Sequence, residues 1–261
     1  MVLKGIAKSL LVCFTVATFH SAHSEEHVSL PSRPGVETHF FYEGVEKPAA
    51  QVILFEGGDG QVTGKNAGFV QKTRKMYPKH DISYAMFEMP SNLRSGNVPQ
   101  QVVGAYRVSD EHIRDVEVVI AWLRQKSPAP VWLAGVSAGT ISVAWLASRV
   151  REPIAGVVFS SSVLGGSPRR VGTVGLEFIR MPTLITHHRK DACARFHDPL
   201  MVEPVFTRRL PPDTKREIVF FEGGSSFGSD PCKQNTFHTY NGMEAEVVAV
   251  IAKFIKDNSP R

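Results

Sequence analysis

Cysteine is scarce: three occur in 261 residues. No two of them form a Cys-x-x-Cys pair, so the spacing of a zinc ribbon or a dithiol redox site is missing. No uninterrupted apolar run reaches the roughly eighteen residues that a membrane span needs. Internal repeats and low-complexity tracts are absent, which excludes solenoids and compositionally biased linkers. Charge of either sign is also modest. Lys and Arg number 30 against 25 Asp and Glu, a net of +5. The basic pairs at 169–170, 189–190 and 208–209 are short and scattered, so nucleic acid is not an expected partner.

What is present is globular. Hydrophobic residues make up 43% and charged residues 21%, enough for a core of ordinary size. At the N-terminus, Lys4 and Lys8 lead into the apolar run Ser9 to Phe19, followed by small residues at Ala22 and Ser24. This is the pattern of a secretory signal over residues 1–24, and the apolar run is short for a membrane-anchoring helix. Its removal takes away Lys4, Lys8 and Cys13, leaving 28 basic and 25 acidic residues, a net of +3. Cys193 and Cys232 remain. An even pair in an exported chain reads as a disulfide, with two unlinked thiols as the alternative. The expected location is the periplasm or the extracellular space, with no stable membrane insertion once the signal is gone.

Strand-like runs lie at Gln51–Phe55, Ile82–Phe87, Val131–Ala134, Ile154–Ser160, Thr183–Thr186 and Ile218–Phe221, with an earlier one at Thr38–Tyr42. They are short, apolar and rich in β-branched residues, as buried strands are. Helical spacing appears after the N-cap candidate Ser109 (Ile113, Val116, Val119, Ile120, Leu123) and across the apolar Thr140–Val150. It returns after Asn241 and Glu244, which are spaced as a capping box before the stripe Val247, Val250, Ile251, Phe254, Ile255. Strands alternating with helices predict an α/β fold: a mostly parallel central sheet with helices on both faces, forming one domain over 25–261.

Two Gly-x-Ser-x-Gly matches occur, at Gly135–Gly139 and Gly224–Gly228. Context separates them. The first follows a strand and opens a helix, the setting of a nucleophile elbow that lifts a serine hydroxyl clear of the sheet. The second runs into a segment with no helical period and reads as a glycine-serine loop. Ser137 is therefore the candidate nucleophile, and the N–H of Ala138 points where an oxyanion would form. A serine hydroxyl needs a base and a group that orients the base. Asp191 follows the strand ending at Thr186, and His238 precedes the last helix. His187 and His188 are rivals for the base but come before the acid. His197 and His112 read as ordinary polar residues of a loop and a helix start. Asp198 and Asp230 are rivals for the acid, Asp198 reading instead as a helix cap.

With the order Ser137, Asp191, His238, the mature chain resembles the α/β-hydrolase superfamily of serine hydrolases, from the "VILFEGGDG" strand and turn to the last helix. The resemblance implies an esterase-like hydrolase with a Ser-His-Asp triad and no cofactor, in which the Ser137 hydroxyl contacts the His238 imidazole. Many members carry His-Gly or His-Gly-Gly after the first central strand, and here Glu56 replaces that histidine before Gly57 and Gly58. The second oxyanion donor is assigned to Gly58, with Gly57 beside it. A Cys193–Cys232 bridge would tie the acid loop to the histidine loop. Only about twenty residues separate Ser162 from Pro182, too few for the large lid that members often insert there. The expected site walls are the long loop 89–109 and the segment 163–175, where Arg169 and Arg170 could favour an anionic substrate. Three readings stay open: a carboxylic-ester hydrolase acting on a small molecule; another triad acyl-transfer enzyme, whether peptidase, amidase, thioesterase or acyltransferase; and a non-catalytic binding protein on the same fold.

Overall fold

The structure is a computed structural model that describes residues 24–62, 68–94, 98–193 and 197–260. The predicted signal segment, apart from Ser24, lies outside the described residues. Glu25, next in line, is tied into the fold: its carboxylate accepts from Arg74 Nε (2.5 Å) and Tyr84 Oη (2.5 Å).

Eight strands form one sheet in the order β1-β2-β4-β3-β5-β6-β7-β8. They are β1 (Glu26–Arg33), β2 (Val36–Glu43), β3 (Ala50–Phe55), β4 (Ile82–Phe87), β5 (Val131–Val136), β6 (Gly156–Ser160), β7 (Thr183–His188) and β8 (Arg216–Phe221). β1 and β2 pair antiparallel, as do β2 and β4. From β4 onward every pairing is parallel. The helices whose bounds lie wholly within the described residues are α1 (Phe69–Thr73), α2 (Gln100–Tyr106), α3 (Asp110–Lys126), α4 (Gly139–Ala147), α5 (Val202–Arg209) and α6 (Glu244–Asn258).

Side chains alternate along each strand, so every central strand feeds two cores. Ile53, Phe55, Leu133, Val157 and Ile185 face the layer built by α2 to α5. Val52, Leu54, Trp132, Val158 and Leu184 face the layer built by α1 and α6. A parallel sheet buried on both faces explains why β3 to β7 are apolar almost without interruption. α4 is buried nearly all round because it packs beneath the layer formed by its neighbours, as its composition predicts.

Several expectations are corrected. β1 was not anticipated: its face alternates between exposed and half-buried, and Pro31 interrupts it, which an edge strand tolerates. The sixth strand begins at Gly156 rather than Ile154, where Gly156 lies against the Trp132 ring. α4 ends at Ala147, short of Val150, where the Ser148 hydroxyl bonds back to the Ala144 carbonyl. The stretch 89–109 is not one loop: it holds a 3-10 turn at Ser91–Leu93 and α2, which buries Val103 and Tyr106. Asn241 and Glu244 do not form a capping box. Asn241 Nδ2 donates instead to Ser225 Oγ (2.9 Å), and Met243 precedes the helix. Positive φ at Tyr240 (53°) and Gly242 (83°) turns Asn241 toward the second Gly-x-Ser-x-Gly segment. Ser109 does cap α3, accepting from the His112 N–H at 3.2 Å, and Asp198 caps the turn at Pro199–Met201.

Candidate active site

The carboxyl ends of β3, β5, β7 and β8 gather the candidate residues at one edge of the sheet. This is where ligands bind in open parallel sheets. Ser137 follows β5 directly, at a φ of 52°. A serine rarely occupies this left-handed region, and it persists only where the surroundings enforce it. Here they do. A Cβ at Gly135 would lie 2.5 Å from the Gly139 carbonyl oxygen, and one at Gly139 would lie 2.2 Å from that of Phe55. Only glycine permits both approaches. The Ser137 N–H donates to the Ser160 carbonyl (3.0 Å), and its own carbonyl accepts from Thr140 Oγ1 (2.6 Å). The turn is thus pinned from both sides, and α4 starts two residues later.

His238 sits in a 3-10 turn, Phe237–Thr239, and is 3% exposed. Its Nδ1 donates to Asp191 Oδ2 at 2.8 Å. Its carbonyl accepts from Ser161 Oγ at 2.8 Å, which anchors the turn to the end of β6. Asp191 is buried just past β7. Its Oδ1 accepts from the Cys193 N–H (3.0 Å), and the His187 ring approaches Oδ2 at 3.6 Å. Burial pushes the Asp191 carboxyl up, but the His238 hydrogen bond and the neighbouring imidazoles outweigh it, holding the group below its ordinary value. Asp191 is therefore an anion at neutral pH, bound to His238 at the nitrogen that leaves Nε2 for other work.

Ser137 and His238 line the same cleft, of about 550 Å³, together with Gly57 and Gly58. No hydrogen bond joins the serine hydroxyl to the imidazole among the described residues. The two groups face one cavity, and such hydrogen bonds commonly tighten only when a substrate binds. The Gly57 N–H is taken by Glu56 Oε1 at 2.8 Å. The N–H groups of Gly58 and Ala138 have no acceptor among the described residues. Glu56, where many resembling sequences carry histidine, is buried. Burial raises its pKa, against hydrogen bonds from the Gly57, Gln71 and Val70 N–H groups.

Cys193 and Cys232 are joined, with Cα atoms 4.9 Å apart. Asp230, a rival acid in sequence, only caps the second cysteine's turn, accepting from the Cys232 N–H at 3.0 Å. The segment 163–175 contributes none of the residues lining the cleft, because Val163, Leu164 and Val171 fold into the core and carry it away. Arg169 and Arg170 are not among the cleft's lining residues. Two residues were missed as neighbours of the site: His197, read as an ordinary loop residue, and Arg107, not singled out at all. The His197 ring packs against His238 with centroids 4.3 Å apart, its Nδ1 on the Ser162 carbonyl at 2.8 Å. Its one sequence signal was a place six residues beyond Asp191. Arg107 lies buried behind Glu56 and Gly58, and no motif marked it. The Cys193 sulfur and ring nitrogens of His197 and His238 lie within 4.8 Å of one another. The sulfur is committed to the disulfide and His238 to Asp191, so we assign no metal there.

No family model matches the chain, and no curated protein matches it. Solved structures do. A Pyrococcus furiosus esterase superposes with a TM-score of 0.65 at 13% identity, over 95% of this chain and 97% of its own. A dienelactone hydrolase from Anabaena variabilis gives 0.64 at 12% identity, over 92% of this chain and 100% of its own. A dienelactone hydrolase-like promiscuous phosphotriesterase from metagenomic libraries gives 0.65 at 12%, over 92% and 100%. The chain has the α/β-hydrolase fold. In the α/β-hydrolase fold the turn after β5, the loop after β7 and the loop after β8 are neighbours in space although distant in sequence. This explains how Asp191 and His238, 47 positions apart, meet at hydrogen-bond distance. Among the described residues, no helix is long and apolar enough to cross a membrane.

Proposed function

We propose that this protein is a serine hydrolase that cleaves a small carboxylic ester through an acyl-enzyme. The observation that carries this reading is a serine forced into a left-handed turn, sharing one cleft with an aspartate-bound histidine. His238 Nε2 takes the Ser137 proton as the serine oxygen attacks the carbonyl carbon. Asp191 holds the imidazole in the required tautomer and stabilises its charged form. The N–H groups of Gly58 and Ala138 receive the oxyanion. The tetrahedral species collapses, and the alcohol leaves with the proton from His238. Water, activated by the same histidine, then releases the acyl group. Gln61, Gln100 and Gln234 give the cleft a polar lining, which supports a short or polar ester over a long acyl chain. Export through a signal at residues 1–24, with 25–261 as one domain, is part of the same reading. The disulfide supports it, since such bonds persist in oxidising compartments.

A fluorophosphonate probe tests the nucleophile. Wild-type protein should label at Ser137 and hydrolyse p-nitrophenyl esters faster than the matching amides, and Ser137→Ala should do neither while keeping its melting temperature. Removal of a triad serine costs on the order of 10⁶-fold in kcat. An unlabelled wild type, inactive on every ester, would sink the proposal.

A further inference from the structure

Arg107 is 1% exposed, and no carboxylate lies within ion-pair distance of it among the described residues. Burying a guanidinium without such a partner is costly unless its N–H groups find other acceptors. Nη2 donates to the carbonyl oxygens of Glu56 (3.0 Å) and Gly58 (3.3 Å), and Nη1 donates to Ser142 Oγ (2.9 Å). These acceptors belong to two separate pieces of chain. Glu56 to Gly58 follow β3, whereas Ser142 lies in the first turn of α4, directly beyond Ser137 and Ala138.

Glu56 acts on the same loop from the other side. Its carboxylate takes the Gly57 N–H (2.8 Å) and, across the cleft floor, the Gln71 N–H (3.1 Å). The Gly57 carbonyl accepts from the Gly60 N–H at 2.9 Å. A guanidinium therefore grips two carbonyls of the loop, a buried carboxyl group grips one of its amides, and the loop has little freedom left. The Gly58 N–H keeps its hydrogen for a ligand.

We propose that Arg107 is the positioning residue of the oxyanion hole. Its planar, branched head ties the loop bearing the Gly58 N–H to the helix start bearing the Ala138 N–H, and so fixes the gap between the two donors. This rests on the hydrolase reading above. Arginine suits the task because one rigid group reaches acceptors in two directions, which an ammonium on a flexible stem does poorly. Donors to an oxyanion must stand about 2.7–3.1 Å from it. A misplacement of about 1 Å costs roughly 10²-fold in rate.

The test compares Arg107→Met, Arg107→Lys and Ser142→Ala with wild type on one p-nitrophenyl ester. A trifluoromethyl ketone, whose serine adduct carries an oxyanion, is the inhibitor. For Arg107→Met, kcat should fall roughly 10²-fold with KM changed by less than about threefold. Ser142→Ala cuts only the tie to the helix and guards against misfolding; its kcat should fall by about three- to tenfold, with Arg107→Lys between the two. Inhibitor affinity should weaken in proportion to kcat/KM across the series. A merely structural arginine would lower melting temperature without that proportionality. If Ser137 labels in all variants and kcat stays within about twofold of wild type, the role of Arg107 is overturned and the hydrolase reading stands. If the wild type neither labels nor turns over, the hydrolase reading falls and takes this role with it.

Discussion

Gly57 shows how little room surrounds the candidate nucleophile. A Cβ there would lie 2.9 Å from Ser137 Cβ and 3.5 Å from Ser137 Oγ. Gly57→Ala should therefore push the Glu56–Gly58 loop off the serine and cut kcat by at least tenfold, with the fluorophosphonate labelling rate falling alongside it and the fold intact. His112 offers the opposite case. Its ring is fully buried among Phe55, Phe87 and Tyr106, and neither ring nitrogen has a partner among the described residues. An unsatisfied buried polar group costs about 1–3 kcal/mol. His112→Leu should raise the urea midpoint at pH 7 with the slope unchanged, and a lowered midpoint would show that the ring is better satisfied than its geometry allows. At this scale the sequence was legible where backbone conformation leaves a mark. Gly135 and Gly139 are needed by the turn itself, and they frame Ser137. Arg107 left none, and His112 and His197 read only as ordinary polar residues, because their partners come from strands and helices far along the chain.

Elements were legible where one physical pressure dominates. β3 to β7 are squeezed between two apolar layers and read as short apolar runs, while α3 shows both its N-cap and its stripe. β1 and α2 were hidden for the same reason in reverse: each is half solvated, and Pro31 and Pro99 sit where a strand or a turn is equally plausible from composition. The loops after β7 and β8 carry the candidate acid and base. The Cys193–Cys232 bond, 39 positions apart in sequence, joins them. Closing a loop of that length restricts the unfolded chain by about 4 kcal/mol in the chain-entropy picture. The Cys193 N–H also bonds Asp191 Oδ1, so the bridge bears on the acid directly. Cys232→Ser should lower stability by a few kcal/mol and reduce kcat more than KM changes, since the Asp191–His238 pair loses its brace. Reduced enzyme with full activity and an unchanged melting temperature would disprove this.

For the whole molecule, the mostly parallel sheet followed from alternation, but the depth at which the histidines are buried did not. His112, His187 and His197 are each less than 4% exposed. Burial pushes all three pKa values down: His112 well below its ordinary value, His197 to about 3. In the unfolded chain the same rings titrate near pH 6.5. As pH falls below that, the unfolded state binds protons that the folded state refuses, so stability drops with acidification. From pH 7 to pH 5 each such histidine withdraws up to about 2 kcal/mol. Glu56 opposes the trend, since its raised pKa lets the folded state take a proton first, but it is one group against three. Asp191, held below its ordinary value, adds its own loss only further down, as pH falls through its folded pKa. Urea midpoints should therefore decline steadily between pH 7 and pH 5. The decline should be shallower in His112→Leu by one histidine's share, so that variant's advantage over wild type should grow as the solution is made more acid. A constant advantage across that range would mean His112 takes up its proton inside the folded protein, and the burial argument would fail at that ring.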